Sequence, residues 1–217
     1  MKSVTERVYL TDFILACLAY CLFVGSDSIV KYLGSDYSIV QIIFVNSWFA
    51  LIPIVLYTQT LNGWRKLKKA NFTVHFFRAL TMALALFFGY TGFYRLPMVT
   101  MYSIVFLIPL MITIGSVFFL GEVVRWKRFT AILIGFIGAI ISINPFGTEY
   151  NNYIFLALFC PIFASASYLI VRKYGLKENL FSFLIYGKIL MLVFTGVFAL
   201  FIFCLLYTSP SPRDQEA

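Results

Sequence analysis

Three charged side chains interrupt long apolar stretches, where burial of a charge is costly. Asp27, Arg78 and Lys188 each stand in a run of residues that is otherwise almost uncharged. At that depth Asp27 can bind a cationic group or a coupling proton, and the guanidinium of Arg78 can bind a carboxylate or a phosphate. Lys188 lies about 12 Å into its stretch, from where its ammonium group reaches the surface with difficulty, so we expect it to line a cavity.

Asp27 and Arg78 also have purely structural interpretations. Asp27 precedes Lys31 by one helical turn, which is the favourable order for an ion pair within a helix, with Lys31 extended towards the membrane surface. Arg78 lies about 10 Å from the nearer end of its apolar stretch, so its guanidinium could also reach water. Both alternatives stay open at the level of the sequence.

Uncharged polar side chains enlarge the set of candidates. Four tyrosines within apolar stretches could stack on a ligand or donate a hydrogen bond, although anchoring at the membrane interface explains them equally well. They are Tyr90, Tyr102, Tyr168 and Tyr186, of which Tyr168 is kept as a binding candidate.

The segments that must position these residues are long and apolar. Of 217 residues, 61% are hydrophobic and 12% are charged, about half the charged share of a soluble domain. A bilayer core about 30 Å thick requires roughly 20 residues of helix, and unbroken rather than alternating hydrophobicity excludes a barrel. We therefore predict an all-α bundle of seven transmembrane spans, at 8–30, 37–64, 72–94, 96–121, 129–148, 150–171 and 180–206.

The basic residues predict the orientation of the spans. With the N-terminus in the cytoplasm, only Lys31 and Arg95 fall outside, which is a strong positive-inside bias. The cytoplasmic set is Lys2, Arg7, Arg65, Lys66, Lys68, Lys69, Arg125, Lys127, Arg128, Arg172, Lys173 and Lys177. We expect an integral protein of the bacterial inner membrane, and the net charge of +8 reflects topology rather than nucleic-acid binding.

Several residues within the spans are expected to have structural or gating roles. Pro109 should kink or unwind the fourth span, and Pro161 the sixth. Gly121 and Glu122 end the fourth span, where Glu122 is expected to form an ion pair between helix ends, with gating as the alternative. The fifth span carries small residues on one side, a pattern typical of close helix contact: Ala131, Gly135, Gly138, Ala139 and Ser142.

A weak internal repeat links the two ends of the chain. At an offset of 141 residues, Phe13 aligns with Ile154, Ser26 with Ser167, and the segment 29–31 with 170–172. The sixth span then repeats the first, five spans later, so the two copies cross the membrane in opposite directions. Inverted repeats are typical of transporters that work by alternating access.

The segment 75–145 carries the most specific pattern in the chain. It resembles the EamA-type domain of the drug/metabolite transporter superfamily, and the resemblance extends over about 9–203. The matching residues are Arg78, Pro97, Pro109, Gly121, Glu122, Arg125, Arg128, Gly135 and Gly138. The resemblance implies ten helices in two inverted five-helix units. This chain departs from the family in its second span, where the resemblance implies an arginine in many relatives and this chain has Asn46. We keep Asn46 as a binding candidate.

The last residues do not follow from the apolar pattern. The segment CLLYTSPSPRD, which begins at Cys204, resembles the translation of a sequencing adapter. We therefore expect residues 204–217 to be non-native and the natural gene to continue. The expected organisation is one complete unit at 1–145 and the first two helices of a second at 146–203.

These observations favour a secondary transporter that moves a small polar metabolite without ATP. The chain has no GxxxxGK[ST] motif, its acids are scattered, and its cysteines and single histidine form no metal-binding pattern. An enzyme, a cofactor and a metal are therefore not expected. The expected partners are a small-molecule substrate and the lipid bilayer, with a homodimer as an open alternative. The other functions considered are a non-transporting membrane scaffold or subunit, and a membrane-embedded lipid enzyme.

Overall fold

The structure is a computed structural model that describes residues 2–60, 71–123, 126–143, 152–175 and 178–208. Within these ranges all regular secondary structure is helical. The helices are α1 (Lys2–Leu33), α2 (Ile39–Thr60), α3 (Phe72–Arg95), α4 (Met98–Val105), α5 (Leu107–Leu120), α6 (Trp126–Ile143), α7 (Tyr153–Ala157), α8 (Phe159–Tyr174) and α9 (Leu180–Thr208). Of the segment set aside as non-native, residues 204–208 continue α9, and 209–217 lie outside the described residues.

The helices correspond to the seven predicted spans. Six segments are long and apolar enough to cross a membrane, with α4 and α5 together forming one of them and α7 and α8 another. The predicted fifth span is α6, whose apolar part Phe129–Gly138 is shorter, and its expected last residues, 144–148, lie outside the described residues. The expected all-α membrane-spanning bundle is therefore confirmed.

Two spans are interrupted in the same way, three residues before a proline. Phe106 separates α4 from α5 and precedes Pro109, and Leu158 separates α7 from α8 and precedes Pro161. Proline has no N–H, so the carbonyl four residues earlier loses its helical partner, and here that carbonyl belongs to the last residue of α4 or α7. Both linking residues keep right-handed helical angles, so each interruption is a kink rather than an unwound segment.

Helix α3 occupies the centre of the bundle. It packs along α8, α9 and α1, while α2 packs along α9 and α5 along α8. The spans predicted as partners in the internal repeat, α1 and α7–α8, therefore both contact α3. Its N-terminus is capped by the side chain of Asn71, which accepts a hydrogen bond from the Thr73 N–H at 3.2 Å.

The expected close packing of the fifth span is not formed at its glycines. A Cβ built on Gly135 or Gly138 meets no atom within 4 Å, because α6 lies at one edge of the described bundle, where it packs against α4 and α5. The tightest glycine contacts occur instead at the centre. A Cβ on Gly92 would lie 2.5 Å from the Met101 sulfur and 3.2 Å from Cβ of Ala157.

The contact at Gly92 predicts a difference in stability between two glycine variants. Gly92→Ala should destabilise the fold by about 1–3 kcal/mol, because fully buried Met101 must move out of a packed core. Gly25→Ala is the matched control, since its Cβ would meet nothing within 4 Å and alanine is the better helix former. Unfolding of the purified chain by SDS in mixed micelles measures both, and equal stabilities would contradict this account of the packing.

Candidate functional site

Asp27 is buried at the meeting point of four helices. Its side chain is 2% exposed, and Oδ2 accepts a hydrogen bond from the Tyr102 hydroxyl at 3.0 Å. Tyr90 packs in the same buried cluster as Val30, which lies one turn after Asp27 on α1, and the Asn46 amide donates to the Tyr90 hydroxyl at 3.4 Å. We call Asp27, Asn46, Tyr90 and Tyr102 the acid cluster; they come from α1, α2, α3 and α4.

Asp27 and Lys31 do not form the ion pair that their spacing in the sequence allows; each has a different partner. The Lys31 ammonium donates to the Leu96 carbonyl at 2.9 Å, just beyond the C-terminus of α3. A cation at this position compensates the partial negative charge of the helix end. Asp27 is therefore bonded to a tyrosine hydroxyl rather than to a base, which leaves its charge without a counter-ion in the contacts of the described residues.

Cavities flank α1 on both sides of the acid cluster. One, of about 400 Å³, lies between α1 and α2 and is lined by Ser26, Gln41 and Asn46 among apolar side chains. The other, of about 850 Å³, lies between α1, α4 and α6 and reaches Tyr102 and Gly135. Each space is lined by one member of the acid cluster, Asn46 or Tyr102, and Gly135 and Gly138 border the second space rather than a helix contact.

A second polar group, on α3, α8 and α9, contains the other charged candidates. Arg78 Nη1 donates to the Phe183 carbonyl at 2.5 Å, and the guanidinium lies 5.6 Å from the centre of the Phe183 ring. Lys188 directly follows Gly187, which Nη1 of Arg78 contacts, and Tyr168 directly follows Ser167, whose hydroxyl donates to the Arg78 carbonyl. We call Arg78, Tyr168 and Lys188 the basic cluster.

The glycine at position 187 makes room for the basic cluster. A Cβ on Gly187 would overlap Nη1 of Arg78, so the guanidinium crosses α9 where that helix has no side chain. On the other side, the Ser167 hydroxyl donates to the Arg78 carbonyl at 3.3 Å. The position of the guanidinium therefore depends on the missing side chain at Gly187, while Ser167 ties α8 to the backbone of α3 at the same residue.

A histidine and a glutamate join α3 to the segment before α9. His75 is fully buried, and its Nε2 lies 3.3 Å from Oε2 of Glu178. The other oxygen of Glu178 accepts the Asn71 N–H at 3.1 Å. The His75 ring also packs edge-on against Phe183, with ring centres 4.8 Å apart. This pair holds the first turn of α3 against the α8–α9 connection, one turn from Arg78.

Glu122 forms an ion pair between helix ends, which is the structural role expected for it from the sequence, with gating as the alternative. Its carboxylate lies 2.9 Å from Nη2 of Arg172 at the end of α8. Gly121 ends α5 in the left-handed conformation (φ 67°), a position that favours glycine. Both side chains of the pair are substantially exposed, so the pair contributes about 1 kcal/mol at most.

The structure divides the predicted binding residues into two groups. Asp27 and Asn46 belong to the acid cluster, whereas Arg78, Tyr168 and Lys188 belong to the basic cluster. Twelve residues of α3 separate Arg78 from Tyr90, which is about 18 Å along the helix axis. Pro109, Gly121 and Glu122 lie in neither cluster. No group of three acidic, cysteine or histidine side chains among the described residues is arranged to hold a metal.

Sequence reasoning did not single out Gly187 and Glu178. A glycine beside a charged residue within an apolar helix is the one signal that could have marked Gly187. Glu178 lies 103 residues from His75 in the sequence. The predicted orientation puts both residues near the cytoplasmic side of the membrane, but nothing else in the sequence links them. Nothing in the sequence favoured Tyr102 over the other three tyrosines within apolar stretches. Its hydrogen bond to Asp27 in the structure is what marks it.

Comparison with known proteins gives a consistent result. The model of the EamA-like transporter family matches residues 11–144. An S-adenosylmethionine uptake transporter of Rickettsia felis is 30% identical over 194 residues, which cover 86% of this chain and 63% of the relative. The corresponding protein of Rickettsia conorii is 31% identical, with 84% and 62% covered. A riboflavin transporter of Vibrio cholerae is 25% identical, with 80% and 59% covered. The chain thus spans somewhat less than two thirds of these relatives. No solved structure matches it.

Proposed function

Because the chain belongs to the EamA-like transporter family, we propose that it moves a small polar metabolite across the membrane by alternating access, without ATP. Membership of this family and the transporter names of its relatives mark the chain as a transporter protein rather than an enzyme. The identity of the solute and the mechanism of its movement are the parts that we propose.

The observation that carries the proposal is the presence of unbalanced charge inside the spans, buried at Asp27 and partly buried at Arg78 and Lys188. Among the described residues, Asp27 is bonded to a neutral tyrosine, and neither Arg78 nor Lys188 forms an ion pair with a carboxylate. Charges held in this way destabilise a membrane helix bundle, which makes a role in binding the solute the natural reason for their presence. We assign solute contact to Asp27, Asn46, Arg78, Tyr168 and Lys188.

The kinks before the two prolines support movement between two states. They divide the spans formed by α4 with α5 and by α7 with α8, and both spans contact α3, which carries Arg78 and Tyr90. Bending at Phe106 and Leu158 would open one end of the bundle and close the other. We further propose the inner membrane as the location, a cytoplasmic N-terminus, and two inverted units that begin at residues 1 and 146.

A transport assay on the protein encoded by the whole natural gene tests this function. That protein is reconstituted in liposomes, and uptake of labelled S-adenosylmethionine, riboflavin and a panel of amino acids is compared with empty liposomes. These solutes are chosen because relatives are named for the first two. We expect saturable uptake of at least one of them with no ATP present. Uptake that equals the empty liposomes for the whole panel would contradict the proposal.

A further inference from the structure

Unpaired buried polar atoms lie in and beside the basic cluster, among them the guanidinium Nε of Arg78. Three fully buried polar side-chain atoms of the described residues lack a hydrogen-bond partner: Nδ1 of His75, Nε of Arg78 and Oγ of Ser182. All three lie on adjoining turns of α3 and α9. An unpaired buried polar group destabilises a fold, so we take their concentration in one place as a sign of a site that a ligand completes.

The charge of the cluster defines what that ligand must be. Nη1 of Arg78 lies against Gly187, the residue that directly precedes Lys188 in α9, so two cationic side chains share this part of the bundle. The carboxylate of Glu178, which joins the same part of α3, is already paired with His75 and the Asn71 N–H. Two cations that form no ion pair among the described residues are suited to an oxyanion, which a guanidinium binds through two parallel hydrogen bonds and an ammonium through one.

We propose that the basic cluster is an anion site that binds a carboxylate or phosphate group between Arg78 and Lys188. The proposal rests on the proposed function in that it names the class of the transported solute, which must carry such a group. Gly187 is a positioning residue, because its missing side chain lets the guanidinium cross α9 beside the neighbouring Lys188. The acid cluster lies about 18 Å away along α3. In this proposal it binds a different part of the solute or a cation.

Chemical labelling of Lys188 tests the site without any requirement for transport. Pyridoxal 5′-phosphate is an anionic aldehyde, and its carbonyl carbon condenses with a lysine Nζ to an imine with loss of water; borohydride then fixes the product. Pyridoxal has the same aldehyde and lacks the phosphate. Both reagents are applied to the purified 217-residue chain in phosphatidylcholine nanodiscs, and mass spectrometry measures the labelling of each lysine.

We expect the phosphate to increase labelling of Lys188 about tenfold or more relative to pyridoxal, the effect of one charge-assisted hydrogen bond. At Lys173, which is exposed on α8, the two reagents should label equally. Arg78→Gln should remove the preference at Lys188. Gly187→Ala should also remove it while keeping every charge, because the added methyl group displaces the flexible end of Arg78. Arg95→Gln, at the other end of α3, is the matched control and should leave the preference intact.

The outcomes separate this proposal from the proposed function. An equal ratio at Lys188 and Lys173, or a preference that survives both Arg78→Gln and Gly187→Ala, would overturn the anion site even if the chain transports a solute. A preference that depends on Arg78 supports it even if transport fails. Protection of Lys188 by inorganic phosphate identifies a soluble anion, and protection by phosphatidylglycerol in the nanodisc identifies a lipid headgroup as the source of the same chemistry.

Discussion

Replacement of Asp27 by asparagine is expected to lower solute uptake by about 10- to 100-fold, the usual effect of losing one hydrogen bond to a charged group. Asparagine is nearly the same size as aspartate and can still accept the bond from Tyr102, so the acid cluster should keep its geometry. The change removes the negative charge alone. The measurement is initial uptake in liposomes, normalised to the amount of folded chain.

Asp36→Asn is the control for the Asp27 variant. Asp36 is exposed in the turn after α1, so its removal changes the same charge outside the bundle and should leave uptake within about twofold. If Asp27→Asn transports as well as Asp36→Asn, then the buried carboxylate serves the fold only, and the acid cluster is not a solute site.

Replacement of Lys188 by methionine should change uptake and stability in opposite directions. Methionine matches the length of lysine without its charge. Uptake should fall by about tenfold or more, because the solute loses a charged partner. The free energy of unfolding should rise by about 1–2 kcal/mol, because the repulsion from Arg78 and the cost of burying an ammonium group are both removed. Liposome uptake and SDS unfolding of the same preparation measure the two effects.

Two further variants test whether the effects of Lys188→Met come from the loss of the positive charge at this position. Lys188→Arg keeps the positive charge and should recover part of the uptake, whereas Lys173→Met changes an exposed lysine and should alter neither quantity. A loss of stability in Lys188→Met, with uptake unchanged, would show that Lys188 supports packing and would remove it from the binding site.

The helices of this fold are predictable because hydrophobic length alone determines them. The third span was expected at 72–94 and is observed as Phe72–Arg95, because Asn71 caps its start and Pro97 follows its end. The kinks at Pro109 and Pro161 were expected from the missing N–H of proline, a local property. In each of these cases the cause lies within a few residues of its effect.

The partners of the charged side chains were not predictable from local pattern. The order of Asp27 and Lys31 favoured an ion pair along one helix, but tertiary contacts gave each a different partner, Tyr102 and the Leu96 carbonyl. Those partners are 75 and 65 residues away in the sequence. Gly135 and Gly138 meet no neighbouring helix among the described residues for a related reason, because the position of a helix within the bundle decides whether its small residues are covered.

The most direct test of alternating access is the accessibility of one residue from the two sides of the membrane. Ser26 adjoins Asp27 and lines the cavity between α1 and α2, so Ser26→Cys places a thiol beside the proposed path with little change in size. In a chain whose native cysteines are replaced by serine, vesicles of known orientation are treated with a membrane-impermeant thiol reagent on either side. We predict modification from both sides, slowed by an excess of the transported solute. Modification from one side only, at a rate that the solute does not change, would contradict the account.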